Sequence, residues 1–115
     1  LKDCIFINNT ASQGGAVYAA NSYAGSDIIN CSFINNSARG SYGAVRWGAA
    51  NSIFENCIFE NNTAAADGGA MLVDGGNVTL KNSRFIKNSA LNGGATVISP
   101  IILQRLMLEQ YIGMR

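Results

Sequence analysis

Three cysteines, seven carboxylates and no histidine are the material from which this 115-residue chain would have to build chemistry. Cys4, Cys31 and Cys57 stand 27 and 26 residues apart. A zinc site draws its thiolates from closely spaced C-x2-C-type pairs, so this spacing points elsewhere. The next position in the same series is Ser83, which matches Cys in size and not in sulfur chemistry. The series therefore reads as small, buried free thiols in one interior row. A disulfide between neighbouring members is the alternative, and it would leave one thiol over. The acids are Asp3, Asp27, Glu55, Glu60, Asp67, Asp74 and Glu109. Enzymes that cleave polysaccharides gather two or more carboxylates on one face, often with calcium or a basic Arg. No two of these acids fall at the same repeat position, and no nucleophile and base are set in a recognisable pattern. The expectation is a protein that is not an enzyme, with no catalytic residue, no cofactor and no metal site.

Those spacings belong to a repeat. Phe6, Phe33, Phe59 and Phe85 lie 27, 26 and 26 residues apart, each two residues after a member of the Cys/Ser series. Leu1, Ile28, Phe54 and Leu80 come three residues before that series; Asn9, Asn36, Asn62 and Asn88 come three after the Phe, and Ala11, Ala38, Ala64 and Ala90 two further on. Each unit then reaches a small-residue element: Gly14-Gly15-Ala16, Tyr42-Gly43-Ala44, Gly68-Gly69-Ala70 and Gly93-Gly94-Ala95. A unit of this length buries no core by itself and becomes stable by stacking on copies of itself.

Within a unit the residues alternate. Cys and Phe, two apart, point one way, and Ile5, Ser32, Ile58 and Arg84 between them point the other, which is a strand with Cys and Phe inward. A second strand follows the glycines: Val17, Val45, Met71 and Thr96, then Ala19, Trp47, Val73 and Ile98, face in, while Tyr18, Arg46, Leu72 and Val97 face out. A third lies around Ile53-Phe54 and Val78-Thr79-Leu80. The first half of the unit also fits the L-x-x-L-x-L-x-x-N template of a leucine-rich repeat. The second half favours the other architecture, because Gly-Gly-Ala followed by β-branched and aromatic residues makes poor helix. The fold class expected is all-β: a parallel β-solenoid of about four coils over residues 1–98.

The motifs "FINN", "FINN", "FENN" and "FIKN", interleaved with "GGAV", "YGAV", "GGAM" and "GGAT", resemble the repeats of chlamydial polymorphic outer membrane proteins and related adhesin-like surface proteins. The resemblance covers residues 1 to about 98 and departs from the pattern at Tyr42 and Ser83. It implies a right-handed parallel β-helix of the pectin-lyase-like kind, an outer-membrane, cell-surface or secreted location, and a role in adhesion. The partners it implies are a surface protein or glycan of a host or neighbouring cell. The runner-up function is a carbohydrate-active β-helix domain.

Each column has a physical role. An Asn at a corner can adopt the left-handed conformation and bond its amide to the Asn above and below. Gly at the second corner supplies positive φ or room for close backbone packing, and no Lys or helix follows to make it a phosphate loop. N-x-S/T sequons begin at Asn8, Asn30, Asn35, Asn61 and Asn77, as expected of corners this rich in Asn, Ser and Thr. Binding falls to residues that do not repeat, and Tyr18, Tyr23, Tyr42 and Arg46 are the candidate contacts.

The net charge of +1 and the scattered Lys and Arg give no footprint for nucleic acid, and no apolar run is long enough to insert in a membrane. The chain opens inside a repeat without a Met, which reads as part of something longer. Beyond Ile98 the repeat stops. Ser99-Pro100 resembles a helix start, and residues 99–115 read first as an amphipathic capping helix over the last coil. A decayed fifth coil, with Leu106 and Tyr111 on the Leu80 and Phe85 columns and Glu109 on the Cys column, and a tail translated out of frame are the alternatives.

Overall fold

The computed structural model describes residues 1–22, 25–40, 43–49, 51–73, 78–91, 101–104 and 107–113. Among them are fifteen strands and no helix. Successive copies of each strand pair in parallel, one coil against the next, in four ladders. The first joins β1 (Ile5–Ile7), β5 (Ser32–Ile34), β9 (Ile58–Glu60) and the start of β13 (Arg84–Ala90), and sets Phe6, Phe33, Phe59 and Phe85 in register. The second joins β2 (Thr10–Ala11), β6 (Ser37–Ala38), β10 (Thr63–Ala64) and the far part of β13. The third joins β3 (Val17–Ser22), β7 (Val45–Ala49) and β11 (Met71–Val73). The fourth joins β4 (Asp27–Ile29), β8 (Ser52–Glu55), β12 (Val78–Lys81) and β14 (Ile101–Gln104), and β15 (Met107–Gly113) adds to β13. The second ladder is absent from the sequence reading, because two residues are too few to show an alternation.

Like residues therefore lie on like. The rings of Phe6, Phe33, Phe59 and Phe85 stack with centroids 5.1, 4.8 and 4.6 Å apart and planes within 8° of parallel. Each offset-stacked pair adds about 0.5–1.5 kcal/mol beyond area burial. Across the interior, Val45, Trp47, Met71 and Val73 of the third ladder meet Ile28, Phe54, Val78 and Leu80 of the fourth in one buried cluster. Trp47 presents its edge to Phe54 at 5.1 Å and 81°. Cys31, Cys57 and Ser83 are buried in the inward row as expected, and Cys4, Cys31 and Cys57 are free thiols.

The corners divide the labour differently from the expectation. Asn36, Asn62 and Asn88 are buried and do form a ladder, but the left-handed residue is the one before each. Asn8, Asn35, Asn61 and Lys87 have φ of 60°, 56°, 55° and 54°. A second left-handed corner precedes the Cys/Ser row at Asp3, Asn30, Asn56 and Asn82, with φ of 56°, 54°, 55° and 50°. Asn and Asp tolerate this region better than other residues with a Cβ, so a pair such as Asn35-Asn36 uses its first member to turn and its second to tie coils together. Both roles of glycine occur. Gly14 and Gly68 carry φ of 58° and 60°, and a Cβ on Gly43 would collide with the Gly69 carbonyl oxygen.

Two expectations are corrected. The capping helix expected over residues 99–115 is not what the described part of the tail forms: Ile101–Gln104 and Met107–Gly113 are strands that continue the stack. The last full coil leaves a row of unpaired N–H and C=O groups on β12 and β13; a strand satisfies them, whereas a helix satisfies only itself. Adjacent β-branched Ile101 and Ile102 fit that role. The register also differs from a count of 26. Leu103 lies opposite Leu80 and Leu108 opposite Phe85, Tyr111 falls opposite Asn88, and Glu109 sits in the irregularity between Leu108 and Gln110. The second correction concerns Leu72. In its outward column Tyr18 is 48% exposed, but Leu72 is only 4% exposed, so all three residues of β11 are buried.

Candidate contact surface

The outward column of the third ladder is where sequence-derived candidates meet. Parallel pairing of β3 with β7 sets Val17 opposite Val45, Tyr18 opposite Arg46 and Ala19 opposite Trp47. The flanking pairs face the core, so pleating turns Tyr18 and Arg46 outward together. The Arg46 guanidinium carbon lies 4.7 Å from the centroid of the Tyr18 ring, and its Nη1 donates a hydrogen bond to the Tyr18 hydroxyl. A cation over an aromatic face contributes about 0.5–1 kcal/mol at exposed sites. The pair forms a planar, amphipathic patch: apolar ring, delocalised cation and phenolic hydroxyl within one side-chain reach. Tyr23 and Tyr42 lie outside the described residues.

A second outward surface escaped the sequence reading. Asn8, Asn35 and Asn61 at the left-handed corner are exposed, as are Thr10 and Thr63 on the short strands; Ser37 and Ser89, on the same outward column as Thr10 and Thr63, are half-buried. Thr10, Ser37, Thr63 and Ser89 are in register along the stack. The signal was present as Asn-Asn-Thr or Asn-Asn-Ser, where a buried Asn is flanked by two outward polar residues.

The described interior is tied together by hydrogen bonds between coils. Asn36 Nδ2 donates to Phe6 O at 3.0 Å and to Asn62 Oδ1 at 3.1 Å, while its Oδ1 accepts from the backbone N and Nδ2 of Asn9, both at 3.0 Å. Asn62 repeats the pattern with Phe33 O, Asn88 Oδ1 and both donors of Asn36. Burial pushes the Cys57 thiol up to about 11, the reverse of what a nucleophilic thiolate needs. Among the described residues no group of three or more His, Cys, Asp or Glu could hold a metal ion.

The combination of four parallel ladders, stacked identical residues and strand-only coils defines a parallel β-helix, and a leucine-rich repeat with helical returns is not what the described residues form. A family model described as a right-handed β-helix region matches residues 1–99, and the chain belongs to that family. No curated protein and no solved structure matches it.

Proposed function

We propose that this β-helix is a structural and adhesive segment of a cell-surface or secreted adhesin-like protein, without catalytic activity. It lengthens a stiff rod by one strand spacing, about 4.8 Å, per coil, and presents outward residues to a surface protein or glycan of a host or neighbouring cell. The reading is supported by the split between columns. Inward positions repeat as Phe on Phe and Asn on Asn, whereas the outward position of the third ladder changes from Tyr18 to Arg46 between the first two coils. A rod whose interior Phe and Asn rows repeat while an exposed position changes from coil to coil suits recognition by surface residues. The resemblance of the Phe-x-x-Asn and Gly-Gly-Ala motifs to chlamydial-type polymorphic outer membrane protein repeats points the same way.

The test is binding of the purified chain to intact epithelial cells and to glycan arrays, beside the Y18A and R46A variants. The reading expects saturable binding that falls at least about fivefold in either variant, the scale of losing ~1 kcal/mol at an interface. Depolymerisation of pectin-like polymers by the chain would replace it with the carbohydrate-active reading, and absence of binding to any surface would overturn it.

A further inference from the structure

The inward Cys/Ser row has a geometry that its role as filler does not require. Cys4 Sγ donates to Lys2 O at 3.2 Å, Cys31 Sγ to Ile29 O at 3.4 Å, Cys57 Sγ to Glu55 O at 3.5 Å, and Ser83 Oγ to Lys81 O at 3.1 Å. Each side chain reaches the carbonyl two residues before it, so all four share one orientation. Their backbones are in register: Ser32 N donates to Cys4 O at 2.9 Å, Ile58 N to Cys31 O at 3.0 Å and Arg84 N to Cys57 O at 2.9 Å. Side chains of one orientation on in-register parallel strands repeat at the strand spacing, which places successive sulfurs about 4.8 Å apart along the rod.

That separation is wrong for a disulfide, whose sulfurs are about 2.05 Å apart and whose Cβ atoms approach to about 3.8 Å. It suits a different bridge. Two metal–thiolate bonds of about 2.3 Å laid end to end span about 4.6 Å. A cation placed midway between two stacked sulfurs would therefore be bound linearly, with little movement of either coil. Linear two-sulfur coordination selects soft d10 ions such as Cu(I), and thiolate ligands favour them over harder competitors. Zn(II) requires four ligands in a tetrahedron, and the row supplies only a line of sulfurs.

We propose that Cys4 and Cys31 form a two-coordinate site for a soft monovalent cation of the Cu(I) class, bridging the first and second coils. Cys31 is buried and supplies a dry, water-excluding environment, and Cys4 is half-buried. Cys57 is the poorer partner. Its Sγ is held by two carbonyls, Ile28 O at 3.3 Å and Glu55 O at 3.5 Å, within the core. On binding, two S–H bonds are replaced by two Cu–S bonds, both protons pass to solvent, and no electron is transferred.

The test is an anaerobic titration of the whole chain with Cu(I) against a chromogenic chelator, with native mass spectrometry for stoichiometry and X-ray absorption for the coordination shell. One Cu(I) per chain, with two sulfur neighbours, is expected. C4S or C31S should each weaken binding by more than about 100-fold, beyond what losing an outer-shell partner costs. C57S should leave it unchanged. Serine is compatible with the row because Ser83 already occupies it with the same i−2 hydrogen bond, and far-ultraviolet circular dichroism verifies the fold of each variant. The proposal is overturned if the chain fails to compete with the chelator, if C57S weakens binding as much as C4S, or if Zn(II) binds equally well.

Discussion

Asn36 and Asn62, 26 residues apart, share one carboxamide oxygen: Oδ1 of Asn62 accepts the backbone N–H of Asn36 at 2.9 Å and its Nδ2 at 3.1 Å. Through its own Nδ2, Asn62 reaches back to Phe33 O and on to Asn88 Oδ1, both at 2.9 Å. All four hydrogen-bonding capacities of a fully buried amide are thus used between coils, and none within its own.

Replacing Asn62 by Ala strands two donors of Asn36 in the interior, takes a donor from the Phe33 carbonyl, and leaves the Asn88 oxygen with the backbone N–H of residue 62 alone. An unsatisfied buried group costs about 1–3 kcal/mol, so N62A is expected to lose about 3 kcal/mol or more in urea unfolding. N62D keeps the acceptor but removes both donors and buries a charge, and should be no milder.

At the neighbouring position the rule is backbone conformation. Asn61 sits at φ 55° with its side chain exposed. Asn61→Val should cost about 1–2 kcal/mol, the penalty of a β-branched side chain in the left-handed region that Asn tolerates, while Asn61→Gly should be within a few tenths of neutral. Equal effects of the two in thermal unfolding would refute this division between adjacent asparagines.

Close packing of coils at the second corner makes a sharper contrast. The Cβ of Gly43→Ala would collide with the Gly69 carbonyl oxygen, a backbone atom with no rotamer to move away, whereas that of Gly40→Ala would meet Ser12 O at 3.1 Å. G43A should fail to fold or lose about 4 kcal/mol or more, the range reserved for severe core disruption. G40A should be within about 1 kcal/mol of the parent by the same denaturation measurement.

Alkaline pH should weaken the fold through Cys57. Its thiol is raised from the ordinary 9.0 to about 11 mainly by desolvation, so the unfolded state loses its proton first. Between those values the native state binds more protons, and stability falls as pH rises. Its contribution is fully present below about pH 9 and is lost by about pH 11, some 2–3 kcal/mol at 1.36 kcal/mol per pH unit. Subtracting the pH profile of C57S, which cannot titrate there, from that of the parent isolates the effect.

Much of this was legible in the linear order of residues. Translation by one repeat carries each residue onto its ladder neighbour, so the period alone specified the Phe stack, the buried Cys/Ser row, the Asn ladder and the facing of Tyr18 and Arg46. Side-chain alternation along a strand is a local property with a period of two, and it needs no knowledge of the rest of the chain.

Tertiary structure decided what the period leaves degenerate. Asn35 and Asn36 are the same residue type, and only the coil-to-coil distance determines that the second points in while the first turns the corner at positive φ. The tail is the clearer case. Residues 101–104 and 107–113 have apolar spacing compatible with a helix, yet lie as strands on β12 and β13. The deciding groups belong to the preceding coil, whose unpaired backbone edge gains hydrogen bonds from a strand and none from a helix. Periodicity within a segment cannot register a partner that stands 23 residues away, as Leu80 does from Leu103.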